Sequence, residues 1–146
     1  MNKHISLRAA ALIIKDNKLL FAKNINHPCF YVIGGGIEPG ETSEETVVRE
    51  LLEETGRKIK IDRLAFVQER FHTVEGQRHH EIVFFYFMKA PVDMNINDNS
   101  FTDQGNQETL HWLPINGLNR YNIIPEFIKT QSFDQITGIQ HIIVKE

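Results

Sequence analysis

The sequence predicts a single α+β domain, on three observations. Runs rich in β-branched and aromatic residues recur along the chain, one well-capped helix interrupts them, and no linker, repeat or low-complexity tract divides them. The 146 residues fit one domain spanning 1–146. A chain of that size buries about 68–70% of its unfolded surface and needs neither a disulfide nor a structural metal to fold. The apolar share of 41% and ten Phe residues supply material for a well-filled core.

Taken in order, residues 7–14 and 19–23 read as two strands around an Asp16-Asn17 turn. Residues 30–33 form a short apolar strand. Gly34-Gly35-Gly36 and then Pro39-Gly40 signal a loop. Residues 42–55 are the best-marked helix: Thr42 is placed as N-cap, Glu45 completes a capping box, and Glu44 and Glu45 suit the positive end of the dipole. Gly56 follows as the terminating glycine. Residues 58–71 and 81–89 read as strands joined by residues 73–77. Residues 91–108 are long and polar, with Asn95, Asn97, Asn99 and Gly105, and read as a loop of the length that is usually functional or disordered. Residues 109–113 form one more short strand. Pro114 opens a short helical stretch, Pro125 sits in the first turn of another, and residues 139–144 make a last strand.

A net charge of −3 argues against a dedicated nucleic-acid binder, and no duplex DNA or RNA partner is expected. An anionic substrate remains compatible if a cation sits between it and the protein. The single cysteine, Cys29, forbids an intramolecular disulfide, and its apolar neighbours favour packing over nucleophilic chemistry. The apolar run at residues 9–14 is far shorter than the ~20 residues of a membrane span and lacks a cleavage-like site. A cytoplasmic location without a membrane partner is the expectation.

The chemistry concentrates in residues 34–56. On a helix of 3.6 residues per turn, Glu50, Glu53 and Glu54 share an arc of about 100°. Leu51, Val48 and Leu52 fall on a separate arc that can face the core. The bland alternative is a solvated acidic face. Against it, Glu50 repels Glu54 at i,i+4 and Glu53 at i,i+3, each pair costing about 0.2–0.5 kcal/mol. Arg49 is the helix's only base. A divalent cation would turn this repulsion into a binding site, because carboxylate oxygens are the ligands hard cations such as Mg²⁺ take. The glycines allow positive φ and close approach to a ligand, and a glycine loop before a helix N-terminus commonly meets phosphate or metal.

This segment resembles the signature of the Nudix hydrolases, the MutT-like family: Gly35, then Glu41, then Arg49-Glu50-Leu51-Leu52-Glu53-Glu54-Thr55-Gly56-Arg57. Every fixed position of that signature is met. Two positions depart from it: Arg57 stands where the family usually has an apolar residue, and Ile33 where it often has Pro. The resemblance implies a mixed β-sheet sandwiched between helices, an α/β/α sandwich. It implies Mg²⁺ or Mn²⁺ held by Glu53 and Glu54, with Glu50 a ligand, the general base, or both. The Gly35 carbonyl would be a further ligand, Arg49 would orient the carboxylates, and Glu41 would brace the loop. The implied reaction is water attack on phosphorus, splitting a phosphoanhydride in a nucleoside diphosphate linked to another moiety, such as a nucleotide sugar or a nucleoside triphosphate.

Outside the signature, Glu81 and Glu108 are candidates for a downstream carboxylate, and Arg8 and Lys23 for phosphate contact. Tyr31, Phe71 and Trp112 are candidates for stacking on a base or sugar. His79 and His80 read as solvated. The stretch Phe71-His72-Thr73-Val74-Glu75 lacks the Pro or Tyr that marks subgroups acting on ADP-ribose or dinucleoside polyphosphates. Selectivity is expected in residues 91–108 as a movable wall over Phe71 and Trp112, with residues 95–105 the part whose shortening would change the ranking of substrates. The expected partner is a small nucleotide-like molecule, with a homodimer left open. The alternative is a non-catalytic nucleotide sensor on the same fold; the intact carboxylate set weighs against it. An isopentenyl-type isomerase would need a well-placed cysteine, and Cys29 precedes the loop.

Overall fold

β1 (Ser6–Lys15) and β2 (Lys18–Asn24) pair antiparallel around Asp16 and Asn17, which take φ of 52° and 60°. Two consecutive positive φ values give a turn whose twist matches that of the flanking strands, and Asp and Asn tolerate them. The computed structural model describes residues 4–94, 100–102 and 105–146. β1 is the organising strand. It runs parallel to β6 (Gln77–Lys89), from Ser6↔Glu81 to Ile13↔Met88, and antiparallel to β4 (Ile33–Gly36). Its alternate residues feed two cores: Ala10 and Leu12 face one, Ala9, Ala11 and Ile13 the other. Burial on both faces is why residues 9–14 read as an unbroken apolar run.

The first core lies against three short 3-10 segments, Ile115–Arg120, Glu126–Thr130 and Phe133–Gln135, through Leu118, Ile128 and Phe133. The second lies under α1 (Ser43–Thr55) through Val47 and Leu51. The sheet is mixed, with β5 (Lys60–Val74) antiparallel to β6, and β10 (Gln140–Lys145) parallel to β5. The expected order of layers, helix, mixed sheet, helical segments, is present. Among the described residues α1 is the only α-helix; Pro114 and Pro125 precede 3-10 turns, Pro125 one position ahead of the turn rather than within it.

Three expectations need correction. The glycines do not form a loop: Gly34, Gly35 and Gly36 belong to β4, paired with Ala10, Ala9 and Arg8, and none has positive φ. They are needed for close approach: a Cβ on Gly34 would stand 2.8 Å from Ala10 Cα and press on the Ala9 carbonyl oxygen. Residues 73–77 are not a connecting loop either. The β5–β6 ladder continues through His72↔His79 to Val74↔Gln77, leaving Glu75 and Gly76, with φ of 49° and 78°, as the turn. Cross-strand hydrogen bonding carries these polar residues where composition suggested a break.

Third, residues 91–108 are not one long loop. β7 (Ser100–Thr102) and β8 (Gly105–Pro114) are strands, and β8 pairs β2 from Asn24↔Glu108 to Lys18↔Pro114. The ladder uses main-chain groups, to which the polar side chains are no obstacle, and the edge of β2 supplies the partner. The suggested movable wall, residues 91–108, includes positions 95–99 and 103–104, which lie outside the described residues. β3 (Phe30–Tyr31) joins β2 to β9 (Ile123–Ile124). Among the described residues no helix is long and apolar enough to cross a membrane.

Candidate active site

α1 is set by its caps. The Thr42 hydroxyl accepts from the Glu45 N–H at 3.1 Å, Glu45 Oε1 accepts from the Thr42 N–H at 3.1 Å, and Gly56 ends the helix with φ 73°. With Val47 and Leu51 buried, the rotation of the helix is fixed, and so is the direction of each glutamate.

Arg49 holds the signature together. Its Nε donates to Glu41 Oε2 at 2.7 Å, its Nη1 to Glu50 at 3.0 Å and Glu53 at 3.3 Å, and its Nη2 to Glu41 Oε1 at 3.0 Å and the Gly36 carbonyl at 3.2 Å. Glu41 also accepts from the Glu38 N–H and the Thr46 hydroxyl. Fixed by these donors, Arg49 first among them, its carboxyl falls to about 2. Glu41 therefore ties β4, the following loop and α1 into one unit. Repulsion between Glu50 and Glu53 is thus offset by the adjacent Arg49. That corrects the picture of an uncompensated acidic arc drawn from helix spacing, which cannot show the reach of a neighbouring guanidinium.

The arc also does not point uniformly outward. The Glu53 side chain is 42% exposed and that of Glu50 15%, whereas Glu54 as a residue is 8% exposed. Glu54 turns into a cavity of about 430 Å³ between β1, β5 and β6 on one side and β3 and β9 on the other. Glu108, on β8, enters the same cavity, and the Tyr31 hydroxyl donates to its Oε2 at 2.6 Å. Glu54 Oε2 and Glu108 Oε1 are buried with no hydrogen-bond partner. Burial, then the charges of Glu108, Glu50 and Glu53, push the Glu54 carboxyl up to about 8. Burial also raises Glu50, against the pull of Arg49. Burial and the facing Glu108 hold the Tyr31 hydroxyl well above its ordinary value.

Two orphaned carboxylate oxygens, beside a third carboxylate that burial makes more basic, fit a hard divalent cation. Among the described residues no three His, Cys, Asp or Glu side chains already stand in place around one point. Arg49 occupies oxygens of Glu50 and Glu53, so binding would require those side chains to turn toward Glu54.

Of the candidates outside the signature, Arg8, Glu81 and Glu108 line this cavity together with Tyr31. Lys23, Phe71 and Trp112 do not. Lys23 stands opposite Thr109 on β8, whose hydroxyl donates to the Lys23 carbonyl at 3.3 Å. Phe71 stacks on His80 with ring centroids 4.2 Å apart, and lines a separate cavity of about 940 Å³ at the β5–β6 hairpin tip. Trp112 packs against the core under α1. Phe71 and Trp112 therefore offer no shared surface; strand register, invisible in the sequence, separates them. Cys29 is buried and its N–H donates to His27 Nδ1, in keeping with a packing role. Gln68 and Arg70 line the cavity and carry no sequence signal. Their spacing of two on β5 would have identified them once Glu81 was known to face the site, since Arg70 lies opposite it.

Comparison with known proteins agrees with this architecture. An ADP-ribose pyrophosphatase of Methanocaldococcus jannaschii is 47% identical over 64 residues, 42% of this chain and 38% of that protein. Putative nudix hydrolase 1 of Caenorhabditis elegans is 28% identical over 127 residues, covering 81% of this chain and 31% of the relative. The chain thus matches 38% and 31% of these relatives' own lengths. The MutT protein of Bacillus halodurans shares the fold, with a TM-score of 0.65 at 18% identity over 84% of this chain and 77% of that one. The NUDIX domain family model matches residues 5–131, a span that takes in α1, most of both cores and the cavity with its carboxylates, and the chain belongs to the Nudix family.

Proposed function

We propose that the protein hydrolyses a phosphoanhydride bond in a nucleoside diphosphate linked to another moiety, with Mg²⁺ or Mn²⁺ as cofactor. The observation that carries this reading is the pair of orphaned oxygens on Glu54 and Glu108, at a cavity that Arg8 also lines. Acid groups with no purpose would not be buried facing each other. The name of the Methanocaldococcus relative, and that of a putative 8-oxo-dGTP diphosphatase of Bacillus subtilis 43% identical over 42 residues, lend support, since both imply cleavage of a phosphoanhydride bond.

Bound cations would neutralise the diphosphate and polarise its phosphorus. Glu53, Glu54 and Glu108 would hold them, and the Gly35 carbonyl would assist. Glu50, made more basic by burial, is suited to take the proton of the attacking water. Arg49 keeps Glu50 and Glu53 aligned from behind, and Arg8 receives the phosphate from the β1 side.

The test is a panel of nucleoside diphosphate derivatives and (deoxy)nucleoside triphosphates assayed with either metal. Activity is expected on at least one compound, to vanish in EDTA, and to return on adding Mg²⁺ or Mn²⁺. Full turnover after careful metal removal would sink the proposal. Glu53→Gln is expected to lower kcat by at least ~10²-fold. Its metal-free Tm should stay within a few degrees of the parent, because its exposed contact to Arg49 contributes little. A near-normal kcat would remove Glu53 from the ligand set.

A further inference from the structure

The cavity floor holds one buried group that neither the metal nor the diphosphate requires. Gln68, on β5, is 2% exposed and lines the cavity. A carboxamide held at a cavity wall by a buried stem presents its donor and acceptor to whatever fills the cavity. Gln68 stands opposite Val83 on β6, which stands opposite Arg8 on β1. The three form one row across three strands, so Gln68 lies about 10 Å from Arg8 in the direction of the hydrogen bonds. That is about the reach from a nucleotide's phosphate across its ribose to its base.

Val83 lies between them, and Phe85, Ile124 and Pro125 add apolar lining, with Arg70 and Glu81 as its charged part. A flat ring fits such a slot. A carboxamide presents a donor and an acceptor side by side, the pattern that a nucleobase edge complements and an isolated sugar hydroxyl does not. We propose that Gln68 is the specificity-determining residue that reads the hydrogen-bonding edge of the substrate's base. This rests on the phosphoanhydride reading above.

The test uses pairs of nucleotides alike in sugar and phosphates but differing in the base edge: adenine against unsubstituted purine, and guanine against 2-aminopurine. The parent protein should favour the complete edge in at least one pair by about 10–10²-fold in kcat/KM. Gln68→Leu should bring that ratio to within about threefold by slowing only the edge-bearing compound. A parent without edge preference, a ratio unchanged in the variant, or an equal loss on both members of a pair would each overturn the proposal. If the parent hydrolyses nothing on the panel, the phosphoanhydride reading fails by itself. Binding of the same base pairs as nucleoside monophosphates in EDTA then decides for Gln68: discrimination lost in Gln68→Leu supports it, and equal binding in both proteins overturns it.

Discussion

Glu54→Gln is expected to cost at least ~10²-fold in kcat and, without metal, to make the protein more stable at alkaline pH. The two effects share a cause. In the fold the Glu54 carboxyl is raised to about 8 by burial and by Glu108, Glu50 and Glu53, against an ordinary value of 4.5. A group raised in this way favours the native state when protonated, and that contribution is lost as pH climbs from about 4.5 through about 8. The metal-free parent should therefore lose stability between pH 5 and pH 9, on the order of 2–4 kcal/mol, or roughly 5–10 °C in Tm. Glu54→Gln, neutral at every pH, should flatten most of that slope. Mg²⁺ should restore the parent at pH 8 and do little for the variant, because binding displaces the proton and gains affinity as pH rises. Thermal melts of both proteins at several pH values, with Mg²⁺ or EDTA, measure all of this. Parallel pH profiles for parent and variant would show that Glu54 is not the titrating group.

Adjacent glycines should separate stability from catalysis. In Gly34→Ala the new methyl meets backbone, the Ala9 carbonyl oxygen and Ala10 Cα, which cannot give way without parting β4 from β1. A loss of about 3 kcal/mol or more is expected, with poor soluble yield. In Gly35→Ala the methyl meets the carboxylate of Glu50, the far end of a flexible side chain. Glu50 can swing aside, so stability should change by no more than about 1 kcal/mol. Moving it should cost on the order of 10²-fold in kcat, the scale of a misplacement near 1 Å. Melting temperature and kcat for both variants test the contrast. A Gly35→Ala protein with normal kcat would mean that the position of Glu50 is not critical.

Local chemistry was legible where it is decided locally. Capping by Thr42 and Glu45, the terminating Gly56 and the Asp16-Asn17 turn each depend on residues within a few positions of one another, and each stands where the sequence placed it. The longer strands were readable along the chain for the same reason, as was the family from the spacing of its signature, whereas the short strands Ser100–Thr102 and Ile123–Ile124 were not. Strand extents were not: Thr73 and Gln77 flank a turn and residues 105–108 are mostly polar, and only a paired neighbour makes them strand.

By itself, then, the sequence determined the helix, its acidic turn and the family to which the chain belongs, because spacing along a helix maps directly onto one face. Only the tertiary structure decided which carboxylate turns inward, that Arg49 bridges Glu41, Glu50 and Glu53, and that Glu108 rather than any nearer residue confronts Glu54. It also drew Gln68 and Arg70 beside Arg8 and Glu81 and sent Phe71 and Trp112 elsewhere. The physical reason is register: strands far apart in sequence are aligned by main-chain hydrogen bonds that carry no side-chain signature, and a shift of one residue would turn every one of these groups to the other face.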